Sequence, residues 1–301
     1  MKFGGRDQSV RSFFAIISFC VLVAFSLFAP TTVRAAEITR KHHPWANFSP
    51  GAWRQTRTFV QVFDKNGRVV DWGVTEQRTT LEKVDEKGVT LQVEKAVWMA
   101  GKWCDQPNET LQRGFEGEAE GQKATIKDLD PVTFTIEGRK ITCGVREIEL
   151  ANPKLQSVQL SRVVFNNEVA PYVLKRTTTI KDREKNTVLS ETNTVAIGLD
   201  MLCLVADQLY SASQLRTTTK HALGTSVTLT YSTTEVPGGV VHECTKKLDK
   251  EGRLVERSVL ELTDYGLKPG KQRPLRRRLP RRLRNWRLRA ENAEKENKPA
   301  L

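Results

Sequence analysis

The chain has one long apolar run, four histidines, three methionines and no cysteine pair at C-x-x-C spacing. Each scarcity excludes something. A single apolar run cannot build a polytopic membrane protein. Without C-x-x-C there is no sequence-level redox or zinc motif. There is no Walker loop, no G-x-G-x-x-G after a strand, no G-x-S-x-G elbow and no H-E-x-x-H. His242-Glu243 opens the last of these, but Lys246 stands where the second histidine is needed. His42 and His43 adjoin Pro44, a context expected for a solvated arm, with no third ligand in view. The residues therefore point to no catalytic site, no metal and no cofactor, and the chain is read as non-enzymatic.

Excess charge is also missing from most of the chain. The formal charge of +13 invites a nucleic-acid reading, but it sits at the ends. Residues 1–35 carry a net +3 and residues 268–301 a net +10, whereas residues 36–267 hold 31 basic and 31 acidic side chains. A neutral body argues against nucleic acid as its partner.

At the N-terminus, Lys2, Arg6 and Arg11 precede the 17-residue run Phe13–Ala29, then Pro30 and the small-residue site Val33-Arg34-Ala35. This is the order of an export signal, with cleavage expected after Ala35. The run overlaps the short end of a membrane span, so an uncleaved N-terminal anchor is the alternative. Export to the periplasm, cell envelope or medium would permit disulfides. Cys104, Cys143, Cys203 and Cys244 are the candidates, and their spacing suggests 104–143 and 203–244. Four buried free thiols are the competing expectation.

The body reads as strands. Arg54–Phe63 ends at Asp64-Lys65-Asn66-Gly67, a strong hairpin signal. Val89, Leu91 and Val93 alternate with Thr90, Gln92 and Glu94. Trp98 and Trp103 bracket a glycine turn and could meet as a cross-strand pair. Short turns between adjacent strands imply antiparallel pairing. Only Leu199–Ser213 has a helical spacing, giving one short helix near 199–213. Gly114–Asp130 is expected as an irregular loop. VFDKNGRVVDWGV (62–74) resembles KLDKEGRLVERSV (247–259), and Arg-Thr-Thr occurs at 78, 176 and 216. Duplication would make two meanders, 36–150 and 151–267, although shared hairpin chemistry alone can produce such fragments. The fold class is mainly β: antiparallel meanders forming a curved sheet or half-barrel.

The tail, 268–301, carries Arg276, Arg277, Arg278, Arg281, Arg282, Arg284, Trp286 and Arg287. Leu275, Leu279, Leu283 and Trp286 follow helical spacing, interrupted by Pro280. A cationic amphipathic segment suits an anionic membrane or polysaccharide surface. A disordered tail is the other reading of the same charges.

The segment 225–265, TSVTLTYSTTEVPGGVVHECTKKLDKEGRLVERSVLELTDY, resembles bacterial lipoprotein-carrier-like proteins (the LolA/LppX-like superfamily) in its alternation and turns. That resemblance implies an exported curved sheet holding acyl chains, and it assigns no functional residue. Two functions remain open. One is an exported envelope protein binding an apolar or amphiphilic ligand on the curved sheet. The other is a structural or adhesive envelope module with no ligand cavity.

Overall fold

The alternating pattern between short turns builds one antiparallel sheet. The computed structural model describes residues 40–99, 101–151, 156–205 and 208–269. Residues 1–35, read above as an export signal, and the tail's basic residues, Arg276 through Arg287, lie outside them. Fourteen strands follow in order: β1 (Trp53–Phe63), β2 (Val69–Asp85), β3 (Gly88–Met99), β4 (Lys102–Asp105), β5 (Glu109–Arg113), β6 (Lys123–Ile136), β7 (Arg139–Ala151), β8 (Ser157–Phe165), β9 (Val173–Asp182), β10 (Val188–Val205), β11 (Gln208–His221), β12 (Gly224–Ser232), β13 (Val240–Leu248) and β14 (Leu254–Gly266). A 3₁₀ turn, Arg40–His42, precedes them.

The strand order is β4-β3-β2-β1-β14-β13-β12-β11-β10-β9-β8-β7-β6, with β5 also pairing β3. The sheet is not closed. Its connectivity nevertheless forces it to curl. Laid flat, β5 and β6 would be about 58 Å apart, twelve spacings of about 4.8 Å. Only residues 114–122 join them, and ten peptide steps reach about 35 Å at most.

Residues 40–52 lie inside the curl as a strap. Trp45 packs with Leu81, Val89 and Leu91 of β2 and β3. The Gly238 amide, between β12 and β13, donates to the Pro44 carbonyl (2.9 Å). His42 meets Tyr172 before β9 (4.4 Å between ring centroids), and His43 meets Phe115 after β5 (5.7 Å). Elements far apart in strand order thus converge on one segment. The arm is folded in, not solvated as its His-His-Pro sequence suggested. Burial lowers the His43 pKa, and the Trp45 amide donates to its Nδ1 (3.3 Å).

The strap-facing side of the central strands is hydroxyl-rich. Register places Thr194, Thr217, Thr228, Thr245 and Ser258 in one row across five strands. Thr194–Thr217 and Thr228–Thr245 bond at 2.9 Å each. A second row runs through Ser161, Thr178, Thr192 and Thr219, bonded at 2.9 Å (161–178) and 3.0 Å (192–219). The β-branched methyls suit strands, and each hydroxyl is satisfied by its cross-strand partner.

Three sequence expectations are corrected. Leu199–Ser213 is not a helix but the end of β10 and the start of β11. Its stretch Met201–Ala206 is apolar at every position, so it satisfies helical and strand periods alike. The expected loop 114–130 ends early, because β6 begins at Lys123. Among the described residues no disulfide forms, and Cys104, Cys143, Cys203 and Cys244 are all free. They lie on β4, β7, β10 and β13, opposite Val97, Val132, Tyr210, Leu229 and Val259, never opposite one another. The tryptophan pair does form: Trp98 and Trp103 are in register, edge to face, with centroids 5.6 Å apart.

Candidate functional site

Strands β6 to β9 carry the site. On β7 the face changes use along its length. Ile141, Cys143 and Val145 enter one core cluster, whereas Ile148 and Leu150 enter another from the alternate face, with Val163 and Phe165. The switch leaves Glu147 and Glu149 exposed beyond the first group. The β6–β7 hairpin runs past the end of β8, and its tip reaches β10. The Leu199 amide donates to Glu137 (3.3 Å), and Arg139 pairs with Asp200 (3.5 Å).

On the face opposite the strap, these strands line an open cavity of about 830 Å³. Its apolar floor is Val132, Phe134, Val145, Leu160 and Val164. Val145 and Val164 are buried, while Val132 and Leu160 stay 37% and 36% exposed. Its polar wall holds Lys127, Glu147, Glu149, Arg162, Lys175, Thr177 and Thr179. Register sets Glu147 between Lys127 and Arg162. Among the described residues, none of Lys127, Arg162 and Lys175 makes an ion pair. Cations left unpaired beside an apolar floor can meet a polar head while the floor covers an apolar tail. The volume falls within the usual ligand-site range of about 300–1,000 Å³.

Buried charge elsewhere is used in packing. Arg146 is clamped by Asp128 (2.7 Å) and Glu116 (3.0 Å) and stacks on Phe165, fixing the 114–122 loop to the sheet. Burial raises the Glu116 pKa, with Arg146 pulling it down. Arg57 and Glu76 form an ion pair, with Gln55 and Arg78 bonded beside them. Burial pushes the Arg54 guanidinium down to about 10, against the pull of Glu243. Arg54 lies over the Trp45 ring (5.5 Å) and donates to the Gly238 carbonyl (3.1 Å). Among the described residues, no three His, Cys, Asp or Glu side chains are placed to hold a metal.

Of the candidates read from sequence, Cys143 enters a core beside the cavity and Cys104 takes an edge strand. Cys203 packs against Tyr210 and its neighbours, and Cys244 is exposed, 3.3 Å from His242 Nε2. None lines the cavity. The cavity residues were missed because they come from four strands that only the folded register assembles.

No protein-family model matches the chain, and no curated protein matches it. Two solved structures share some of its course. A Bacteroides fragilis protein with a YmcC-like fold, inferred to be exported, gives a TM-score of 0.29 at 7% identity, covering 73% of this chain and 97% of its own. A Parabacteroides distasonis protein, inferred to be a lipoprotein, gives 0.26 at 11% identity, with 71% and 95% covered. Overlap this loose transfers neither site nor function.

Proposed function

We propose that this is an exported, non-catalytic envelope protein that holds an amphiphile in the open cavity on β6 to β9. The observation that carries the reading is the pairing of an apolar floor with three cations, Lys127, Arg162 and Lys175, that make no ion pair among the described residues. Export is supported by the leader's charge, apolar run and small-residue site. The absence of catalytic motifs in the sequence supports a binding role. The likeness of 225–265 to lipoprotein-carrier-like proteins belongs to the same proposal. It differs from that expectation in place: the cavity lies on the face opposite the hydroxyl-lined, strap-facing one.

The test is equilibrium titration with a fluorescent long-chain fatty acid, comparing Leu160→Asp and Arg162→Gln with the parent. Leu160 is part-exposed, so the Asp variant should keep its fold. It should bind about tenfold more weakly, since a carboxylate then faces the chain. Parent binding unchanged in both variants would remove the cavity from the account.

One observation favours the structural or adhesive alternative. Strand β6 is long, mostly exposed and pairs only with β7 among the described residues. Such an edge is a template for another strand. Concentration-dependent assembly abolished by a proline in β6, with no amphiphile bound, would shift the assignment to that module.

A further inference from the structure

The β10–β11 hairpin has an unusual tip. Beyond the bulges near Gly198, Met201–Val205 and Gln208–Ala212 pair, among the described residues, only with each other, as a two-stranded ribbon past the last pairs with β9 and β12. Alternation divides its apolar residues between two faces. Cys203 and Tyr210, opposite one another, turn inward onto the cluster of Val236, Val241 and Leu262. Leu204 and Leu209, also opposite one another, turn outward with Leu202. They are 68%, 67% and 77% exposed, among the most exposed large apolar side chains described. A ribbon apolar on both faces has one face the fold does not use, and water is a poor solvent for it.

The ribbon's position suggests what covers it. The Tyr210 and Tyr265 hydroxyls lie 3.4 Å apart, and their rings pack edge to face. Tyr265 is one residue before the end of β14. From there the chain passes exposed Leu267 and Pro269, which lies against Gly51 of the strap, into the segment 270–301. That segment holds the arginine cluster 276–287. The leucine ribbon, the exit toward the basic tail and the strap through which the leader joins the body therefore share one end of the sheet.

We infer that this end is a docking surface for an anionic lipid bilayer. Leu202, Leu204 and Leu209 enter the acyl boundary, and the tail's arginines meet the headgroups. Apolar insertion and basic attraction together give stable association where either alone is marginal. The inference does not depend on what the cavity holds.

Co-sedimentation of the processed protein with phosphatidylcholine vesicles, with and without phosphatidylglycerol, tests it. Changing Leu202, Leu204 and Leu209 together to serine should weaken binding to both kinds of vesicle by about tenfold or more. The thermal midpoint should stay unchanged, because these side chains touch no core. A Leu209→Trp variant should shift its added emission to the blue with vesicles and be quenched by brominated lipid. Parent-like vesicle binding by the serine variant would overturn the inference. So would a parent that self-associates through these leucines, becomes monomeric on serine substitution and binds vesicles equally in both forms.

Discussion

Gly238 and Gly252 make a matched pair for testing the strap. Both adopt left-handed backbone, at φ +77° and +79°. They differ in what a methyl group would meet. At Gly252 nothing lies within 4 Å, whereas at Gly238 the Trp45 ring lies 2.8 Å away. Gly252→Ala should cost about 1 kcal/mol, the left-handed penalty alone. Gly238→Ala adds overpacking of about 1–3 kcal/mol and should total about 3 kcal/mol. Trp45 is 6% exposed, so Trp45→Ala should itself cost about 3–5 kcal/mol. In that background Gly238→Ala should fall back to about 1 kcal/mol, a coupling of about 2 kcal/mol. Urea unfolding with a common m-value measures the parent and all four variants. Equal costs for the two glycine variants, or no coupling to Trp45, would refute the packing of the strap against the β12–β13 turn.

Other predictions follow from the same contacts. His43 accepts the Trp45 amide at Nδ1, and burial holds its pKa below 6.5. Its contribution should be intact above about pH 6.5 and decline below it, since the unfolded state then binds the extra proton. A His43→Gln chain should show a flatter urea midpoint between pH 7.5 and 5 (about one such titration's worth). Thr194→Val should cost about 1 kcal/mol by removing the partner of the Thr217 hydroxyl, and adding Thr217→Val should recover most of it. Thiol titration should find four free thiols after denaturation in the processed chain, with Cys244 reacting first and Cys143 protected in the native state. Burial and the neighbouring Glu243 and Glu261 raise the Cys244 pKa, so its native reaction should be slow near neutrality and quicken with pH.

The hairpins were legible because their chemistry is local. Asp64 accepts the amides of Asn66 (2.9 Å) and Arg68 (2.8 Å), and Asp249 accepts those of Glu251 (3.1 Å) and Arg253 (2.9 Å). The recurring Asp-Lys-x-Gly-Arg is thus one turn used twice. The Arg-Thr-Thr triplets behave differently. Register turns Thr217 and Thr79 toward the strap face but Arg176 and Thr178 at the third site. Phase is invisible in the triplet itself. The β10–β11 tip was misread because Leu202 and Leu204 are apolar where a water-facing strand would be polar. The strap and cavity were not legible at all. Trp45 finds Gly238 only after the sheet curls, which depends on the short β5–β6 link, whereas Val132, Leu160 and Val164 come together around the cavity only once β6, β7 and β8 are in register.

Native mass spectrometry of the protein purified from its own host envelope, before and after organic extraction, tests the amphiphile account most directly. The account predicts a retained lipid-sized mass that extraction removes and that the Leu160→Asp chain fails to retain. A bare polypeptide mass in both preparations, unchanged by extraction, would contradict it.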